Sequence, residues 1–432
     1  MKRILPAVAA VLVLALLAAP FLVPVARFIP EITRVASEKL GQPVAITDLR
    51  LHLVPTPRVV ATGITVGRKA DVTMGELEIV PDLLSLVSGP KSIRLVRAEN
   101  VVVQESALAI PKGMPKSVGG GEGVRVRRLE LKDVTLKHSK VRLPAFDVEA
   151  ALDENLRVEE ARFHTRDGAM QLLVDKSSKV ELKAKNWTLP AGAPLVFETL
   201  TAQGTLKGDV LDLPSIDGRL YGGTLAGAAR ADWTKLWQVS GKATLAGVDL
   251  VPVQKALGKA AKLSGRLKTQ QSFSTRAKAP DQLAGALTLD GPFEVVGGSY
   301  SGVDLTKVAD LTGKGANDAT QFEEFKGKLQ MRGQRVKINE LCVRSPKVVA
   351  GGNVEIAPDQ TLSGKLDVSL AKSGGFVGVP VALSGTTAEP SVRPTKGYMI
   401  GAAVGTVLLP GIGTSLGASA GSRLEGSASN CK

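Results

Sequence analysis

The sequence predicts a mainly β protein with more than one structural unit, and three observations support this. The chain has 432 residues, two to three times the usual domain size. Its 46 glycines and 24 prolines interrupt it at short intervals, as many short strands require. Apolar and charged residues alternate with a period of two in several segments. With 44% apolar residues, the chain is not predicted to be intrinsically disordered.

The overall charge favours an anionic partner. Lysine and arginine number 55 against 41 acidic residues, a net charge of +14, which attracts a membrane surface or a nucleic acid. Aromatic residues make up only 4% of the chain, too few for the stacking surfaces of single-strand binders, and no nucleic-acid-binding motif is present. We therefore expect a membrane partner and no nucleic acid.

Cysteine usage limits the cross-links and metal sites that can form. The two cysteines, Cys342 and Cys431, exclude a disulfide framework and a zinc site of four thiolates. At most one bridge can form between them. Cys342 lies in an apolar strand pattern and Cys431 is the penultimate residue, which favours a buried thiol and a free C-terminal thiol over a bridge.

The N-terminus predicts a single membrane-spanning helix. Lys2 and Arg3 precede an uncharged apolar run of 23 residues, Ile4–Ala26, long enough to span a hydrocarbon core of about 30 Å. A cleaved signal peptide is the alternative, but Pro20 directly follows the small-residue site, and the run exceeds the usual signal-peptide length. The positive-inside rule keeps the N-terminus in the cytoplasm. We therefore expect an uncleaved, single-pass anchor with the bulk of the chain exported.

Beyond the anchor, the sequence predicts a short helix and then many strands. Glu31–Leu40 has helical spacing of apolar residues, and Gly41 with Pro43 ends the helix. Five later segments alternate apolar with charged or polar residues, the pattern of a strand with one face of each kind. The apolar positions in these segments are Leu49, Leu51 and Leu53; Ile93 and Leu95; Leu129 and Leu131; Val180 and Leu182; and Leu366, Val368 and Leu370. A sandwich, a closed barrel and a long curled sheet each have one dry face, so the periodicity does not distinguish between these three folds.

Two loops rich in proline and glycine divide the exported part. They lie at 111–123 and 189–194. We expect five parts: the anchor at 1–26, a β unit at 27–110, a middle β region with a linker at 111–194, a third β domain at 195–394, and a glycine-rich apolar tail at 395–432.

The third β segment contains an internal repeat. Gly247-Val248-Asp249-Leu250 and Gly302-Val303-Asp304-Leu305 are each followed by a valine and a glycine at the same offsets. We expect a duplicated strand, cap and short helix. In each copy the aspartate caps the helix, and Gly258 or Gly313 ends it.

Short motifs in the first and third parts follow one another in a recognisable order. The first part has the anchor, the segment from Leu40-Gly41-Gln42-Pro43 to Leu53, the turn Pro55-Thr56-Pro57 and the helix start Pro81-Asp82-Leu83-Leu84. The third part has Leu220-Tyr221-Gly222-Gly223-Thr224-Leu225-Ala226-Gly227 and the two Gly-Val-Asp-Leu units. In this order the motifs resemble the AsmA family of Gram-negative envelope proteins. The resemblance covers about residues 1–110 and 205–370, so the units at 27–110 and 195–394 are the AsmA-like ones.

This resemblance implies both a fold and a location. The expected fold is a long, curled, mostly antiparallel β-sheet with short helices that encloses a hydrophobic groove. The expected location is the bacterial inner membrane, with the bulk of the chain in the periplasm and phospholipids as the cargo. The family brings no catalytic residues. The alternating apolar positions named above are then the candidates for the lipid groove.

No constellation of residues predicts catalysis, a cofactor or a metal site. His52, His138 and His164 lack metal-ligand spacing, and we expect all three to be solvated. The segment 413–417 matches the G-x-S-x-G nucleophile elbow, but no histidine follows His164 in the chain. We expect a protein that is not an enzyme.

The C-terminal tail has the composition of packed membrane helices. Between Lys396 and Arg423 lie 26 uncharged residues, with glycines recurring every four positions on either side of Pro410. Such small-residue faces let helices approach closely. We expect a helical hairpin, or two interfacial half-helices, that contacts the outer membrane or an envelope protein. The glycines that would make this contact are Gly401, Gly405, Gly413 and Gly417. The alternative is a plug across the groove mouth.

Two functional hypotheses follow. The first is a non-enzymatic lipid-transfer protein whose apolar sheet face shields phospholipid acyl chains between the inner and outer membranes. The second is a periplasmic scaffold that assists outer-membrane protein assembly by protein–protein binding, with the apolar face as an ordinary core. Co-extracted phospholipid favours the first hypothesis, and a stoichiometric protein partner favours the second.

Overall fold

The computed structural model confirms a mainly β protein, with 64% strand and 13% helix. It describes residues 25–87, 92–108, 125–139, 142–153, 158–190, 194–309, 319–370, 378–400 and 431. The strands belong to a large mixed sheet of 23 strands that is not closed. Within these ranges, no helix has the length and apolarity needed to cross a membrane. Nearly all of the predicted anchor at 1–26, and the tail beyond 400 apart from Cys431, lie outside the described residues.

The chain divides into two compact units. The first consists of Met1–Lys185 with Pro190–Gly192. Its strands are β1 (Val44–Ala45), β2 (Asp48–His52), β3 (Arg58–Val66), β4 (Val72–Pro81), β5 (Ser92–Gln104), β6 (Arg125–Val126), β7 (Arg128–Lys137), β8 (Phe146–Leu152), β9 (Val158–Thr165), β10 (Met170–Val174) and most of β11 (Lys179–Thr188). Its helices are α1 (Ile29–Leu40), which follows a 3₁₀ turn (Val25–Phe28), α2 (Leu83–Val87) and α3 (Glu105–Leu108).

The second unit consists of Asn186–Leu189 with Ala193–Lys432. Its strands are β12 (Val196–Lys207), β13 (Val210–Leu220), β14 (Gly223–Asp232), β15 (Trp237–Asp249), β16 (Arg266–Ala277), β17 (Thr288–Ser301), β18 (Ala319–Arg332), β19 (Arg335–Arg344), β20 (Val348–Ile356), β21 (Leu362–Leu370), β22 (Val379–Gly385) and β23 (Pro390–Pro394). Its helices are α4 (Leu250–Ala256) and α5 (Leu305–Ala309), with 3₁₀ turns at Pro280–Gln282 and Ala284–Ala286. Residues 396–400 are also helical.

Most neighbouring strands run antiparallel, but the first unit contains one crossover. Strand β5 pairs in parallel with β6 and β7, so the chain between them returns to the starting end of β5. The whole predicted linker at 111–123 falls within this connection and lies outside the described residues. The strands before and after it therefore share one sheet.

Helix α1 begins two residues earlier than predicted and ends at the predicted position. Pro30 occupies its first turn, where a missing N–H costs nothing, and Gly41 stops it with a φ of 65°. Ile29 and Ala36 on one side of the helix pack against a buried cluster of the first unit, formed by Val44, Leu49, Ala61 and Ile64. The helix therefore covers the apolar side chains at the start of the sheet.

The predicted repeat of strand, cap and helix is confirmed in the second unit. The Asp249 carboxylate accepts a hydrogen bond from the Val251 N–H at 3.0 Å, at the start of α4. The Asp304 carboxylate accepts one from the Thr306 N–H at 2.8 Å, at the start of α5. Gly258 has a φ of 67° just beyond α4. Its counterpart Gly313 lies outside the described residues.

The two cysteines form a disulfide bridge, with their Cα atoms 5.2 Å apart. The expectation of two unpaired thiols was wrong, because the bridge joins positions 89 residues apart that no local pattern relates. Cys342 is buried in β19, so the bridge ties the C-terminus to the sheet of the second unit. A structural disulfide is typical of an oxidising compartment such as the periplasm.

Candidate functional site: apolar sheet faces and a cavity

The first unit carries two parallel rows of apolar side chains on one face of its sheet. Each row crosses nine strands, from β2 to β11 without β6, through directly opposed residues. One row consists of Leu49, Ala61, Leu77, Ala98, Leu131, Val148, Phe163, Leu172 and Leu182. The other consists of Leu51, Val59, Ile79, Val96, Leu129, Ala150, Ala161, Val174 and Val180. We call this surface the apolar face.

The opposite face of the same strands is charged. The corresponding row on that face is Arg50, Val60, Glu78, Arg97, Glu130, Glu149, Arg162, Leu173 and Glu181. Arg97 lies between two carboxylates, 2.8 Å from Glu78 and 2.8 Å from Glu130. The hydrogen bond with Glu130 raises the pKa of Arg97 above its ordinary value. Because of this difference in polarity, the charged face is the one that contacts water.

Burial varies along the apolar face. Leu49 and Ala61 are buried in the cluster on which α1 packs. From β7 to β11 the side chains of Leu129, Leu172 and Leu182 are only half-buried, whereas Val174 and Val180 are buried. The Phe146 and Phe163 rings contact each other there, with centroids 4.7 Å apart, but still leave part of the face accessible. The apolar face is thus a packed core near α1, and from β7 to β11 it is partly open along the row that contains Leu172 and Leu182.

The predicted groove positions do not all share this face. Leu129, Leu131, Val180 and Leu182 lie on it, as do Leu49 and Leu51. Leu95 lies two residues before Arg97 in β5, so it shares the charged face. Ile93 lies two residues before Leu95, next to a β-bulge. Leu53 follows the end of β2. The sequence pattern missed Phe163 and Leu172, although Phe163 does alternate with Arg162 and His164.

The second unit has a similar face lined by smaller residues. Strands β14 and β15 pair Leu225 with Leu245 and Ala231 with Val239, and between them alanines and glycines oppose one another. These side chains are half-buried, whereas the intervening Thr224, Thr244 and Lys242 are exposed. Small residues leave space above the sheet, because their side chains fill little of it.

The second unit also contains an apolar cavity of about 180 Å³. Strands β17 to β23 and the start of α5 supply its wall. The lining residues are Leu263, Tyr300, Val303, Leu305, Thr320, Phe322, Phe325, Ile338, Leu341, Val343, Val354, Leu362, Leu366, Leu383, Pro390 and Val392. Only two of them have polar side chains.

The hydroxyl groups of those two residues differ in their partners. The Thr320 hydroxyl accepts from the Leu305 N–H at 3.0 Å and donates to the Val303 carbonyl at 2.7 Å. The Tyr300 hydroxyl has no hydrogen-bond partner among the described residues, and burial raises the pKa of this phenol. The cavity therefore offers a nearly apolar space with one available hydrogen-bond donor.

The three predicted groove positions in β21 have different environments. Leu366 lines the cavity. Val368 is 0% exposed in the core cluster that also holds Val348, Ala350 and Val381. Leu370 is half-buried against that cluster. Around β21, the apolar face of the second unit is therefore filled by protein side chains except at the cavity.

The histidines do not form a site. His52 is exposed, as predicted. The His164 side chain is 44% exposed and lies 3.3 Å from Asp147. His138 was wrongly expected to be solvated, because its side chain is 9% exposed and lies 3.7 Å from Glu105. Strands β5 and β7 are parallel and end side by side, so Glu105 in α3, directly after β5, lies near His138, directly after β7. In the described part of the chain, no group of three or more potential metal ligands occurs.

Comparison with known proteins adds no assignment. The chain matches no protein family model, no characterised protein and no solved structure. The resemblance to the AsmA family therefore stays a prediction from the sequence motifs.

Proposed function

We propose that this protein is a non-enzymatic lipid carrier, anchored in the bacterial inner membrane, that shields phospholipid acyl chains on the apolar face of a curled sheet. The observation that carries the proposal is the pair of unbroken apolar rows across nine strands of the first unit. A face that only had to form a core would need no partly open stretch from β7 to β11. A disulfide between the cysteines accords with a periplasmic location.

The dimensions of the apolar face suit an acyl chain. Nine strands about 4.8 Å apart make rows roughly 38 Å long. One leaflet of a bilayer has a hydrocarbon depth of roughly 15 Å, half of the core thickness. A row is therefore longer than one acyl chain, so a chain that lies along it can occupy several equivalent positions.

The energy of shielding is large compared with thermal energy. Each methylene group removed from water contributes about 0.8 kcal/mol. A chain of about sixteen carbons therefore avoids a cost of roughly 13 kcal/mol when an apolar surface accompanies it across an aqueous compartment. Because neighbouring positions along a row are similarly apolar, movement between them changes this energy little.

A pair of adjacent substitutions on β10 tests the proposal. Leu172 lies on the apolar face and Gln171 on the charged face. We expect Leu172→Lys to reduce the phospholipid that co-purifies with the detergent-extracted full-length chain, because the ammonium group enters the path of the acyl chain. Gln171→Lys adds the same charge on the wet side and should leave the bound lipid unchanged.

Lipid phosphorus per mole of protein and mass spectrometry of the extract provide the measurement. Equal lipid content in wild type and both variants would contradict the proposal. A protein partner that co-purifies in stoichiometric amounts, with no lipid, would favour the scaffold hypothesis instead.

A further inference from the structure

We propose that the cavity of the second unit binds the methyl end of a single acyl chain, an inference that rests on the proposed function. Its wall consists of aliphatic and aromatic side chains, and the Thr320 hydroxyl is already satisfied by the backbone. Such a surface repels charged and strongly polar groups, because they would lose hydration without gaining partners. An acyl chain end has no polar atoms to desolvate.

The size of the cavity limits what enters it. A protein cavity of about 150 Å³ lined by similar residues binds benzene or xenon. At about 180 Å³, this cavity holds a group of roughly six carbons. A whole phospholipid or two parallel chains exceed that volume. The cavity is therefore suited to the end of one chain, and the rest of the chain must leave it.

Contacts between distant segments border one side of the cavity. Lys262 donates hydrogen bonds from its ammonium group to the carbonyls of Thr387 and Ala388, which lie 125 and 126 residues away in the chain. The adjacent residues Leu263 and Pro390 line the cavity. Helix α5 packs on β20, β21 and β23. These contacts therefore hold that part of the cavity wall in place beside an inserted chain end, whereas the partly open rows of the first unit let a chain slide.

Photo-crosslinking with two probe positions tests this assignment. The probes are a phospholipid and a free fatty acid, each with a diazirine either near the methyl end or near the carboxyl end of the chain. We expect the methyl-end probes to label peptides of β18 to β21, including Phe322 and Leu341. The carboxyl-end probes should label other peptides. Whether the phospholipid or the fatty acid labels more strongly identifies the source of the chain.

A filling variant provides the control for occupancy. Val343 lines the cavity, so Val343→Phe places a ring in the space that the chain would occupy. Displacing two methylene groups corresponds to about 1.6 kcal/mol, so methyl-end labelling should fall by about fifteenfold. Val296 is 36% exposed on β17 and does not line the cavity. Val296→Phe adds the same ring and should leave the labelling unchanged.

The outcomes separate this inference from the proposed function. Absence of labelling in β18 to β21, or equal labelling in wild type and Val343→Phe, would overturn the cavity site. If lipid bound to the first unit still responded to Leu172→Lys in that case, the proposed function would stand without the cavity. If cavity labelling were absent and bound lipid did not respond to Leu172→Lys, both the cavity site and the proposed function would be rejected.

A separate observation leads to a second inference: we infer that helix α1 lies on the membrane surface. Phe28, Ile32 and Val35 follow one another at helical spacing and are 45%, 39% and 37% exposed. They share one side of the helix, because positions four and seven residues apart face the same way. Glu31, Arg34 and Glu38 border this side of the helix, and Arg34 pairs with Glu31 at 2.6 Å and with Glu38 at 2.7 Å.

The sequence before α1 indicates that a membrane surface covers this side of the helix. The uncharged run Ile4–Ala26 ends directly before it. A chain that leaves a bilayer at that point places the next helix in the interfacial region. Arg27 and Lys39 lie at the two ends of the exposed apolar side. The Arg27 guanidinium is 4.9 Å from the centre of the Phe28 ring. Both cations are then positioned for lipid phosphates, as expected at an anionic membrane surface.

A fluorophore on opposite sides of α1 tests the second inference. The full-length chain, reconstituted in vesicles of phosphatidylethanolamine and phosphatidylglycerol, is labelled with an environment-sensitive dye at Ile32→Cys or at Arg34→Cys. We expect nitroxide lipids to quench the dye at 32 and aqueous iodide to quench the dye at 34. Equal access of iodide to both positions would overturn the inference, and circular dichroism confirms that both variants are folded.

Discussion

Two aspartate substitutions distinguish an open lipid surface from a packed core. Val368 is 0% exposed within the core cluster of the second unit. An aspartate there places a carboxylate among apolar side chains with no cation in the cluster, at a cost of several kcal/mol. Domains have total stabilities of about 5–15 kcal/mol. We therefore expect Val368→Asp to unfold the surrounding strands.

Leu182 gives the opposite expectation. Its side chain is half-buried on the apolar face of the first unit. Full burial of a leucine contributes about 1.5–3 kcal/mol, and a half-buried one contributes about half of that. The new carboxylate of Leu182→Asp can also reach water. We expect a cost of about 0.8–1.5 kcal/mol to the stability of the first unit, together with loss of bound lipid.

Hydrogen exchange measured by mass spectrometry resolves the two sites separately. Peptides from β21 should lose protection in Val368→Asp. Peptides from β11 should keep most of theirs in Leu182→Asp, with a modest shift in a urea series. If both variants lost protection to the same extent, the apolar face of the first unit would be a closed core, and the argument for an accessible surface there would fail.

Three further predictions concern the ion pairs of Arg97 in the first unit, the disulfide of the second unit and the glycine-rich tail. Arg97→Met should destabilise the first unit by about 1–3 kcal/mol, since it leaves the Glu130 carboxylate unpaired while Glu78 keeps its ion pair with Arg58; an unchanged urea midpoint for β4 and β7 peptides would refute this. Cys431→Ser should lower the unfolding free energy of the second unit by about 4 kcal/mol, because it opens a loop of 89 residues; tryptophan fluorescence reports this, and a change below about 1 kcal/mol would argue against the bridge. Gly405→Leu and Gly417→Leu should abolish function with both units folded, because a bulky side chain crowds the predicted helix contact; wild-type lipid transfer between vesicles would refute it.

Deletion of 397–432 would remove more than the glycine-rich tail. Tyr398 is 8% exposed and belongs to the core cluster of the second unit. The deletion also removes the disulfide partner of Cys342. We expect this deletion to destabilise the second unit. The point substitutions at the glycines therefore test the function of the tail more cleanly.

Features set by neighbouring residues in the sequence were predictable. The caps at Asp249 and Asp304 follow from hydrogen bonds that span two residues. The end of α1 follows from Gly41 and Pro43, and the alternation around Leu129 and Leu182 follows from strand geometry. Each of these depends on local backbone conformation, which the residue types largely determine.

Features set by distant pairing were not predictable. Leu95 belongs to the charged face because its strand is in register with β4 and β7, and the register depends on residues far away. The parallel pairing of β5 and β7 has no local signal. His138 and Cys342 found their partners only when the sheet brought separate segments together. The apolar rows likewise became visible only after nine strands had been aligned.

Site-specific photo-crosslinking on the first unit tests the central claim most directly. A photoreactive phenylalanine analogue is placed at Phe163 or Leu182 on the apolar face, and at Arg162 or Lys183 on the charged face, and irradiated in native membranes. We predict covalent phospholipid adducts, detected by mass spectrometry of the intact protein, from the first pair and none from the second. Adducts at equal yield from both faces, or from neither, would contradict the assignment of the apolar face as a lipid-carrying surface.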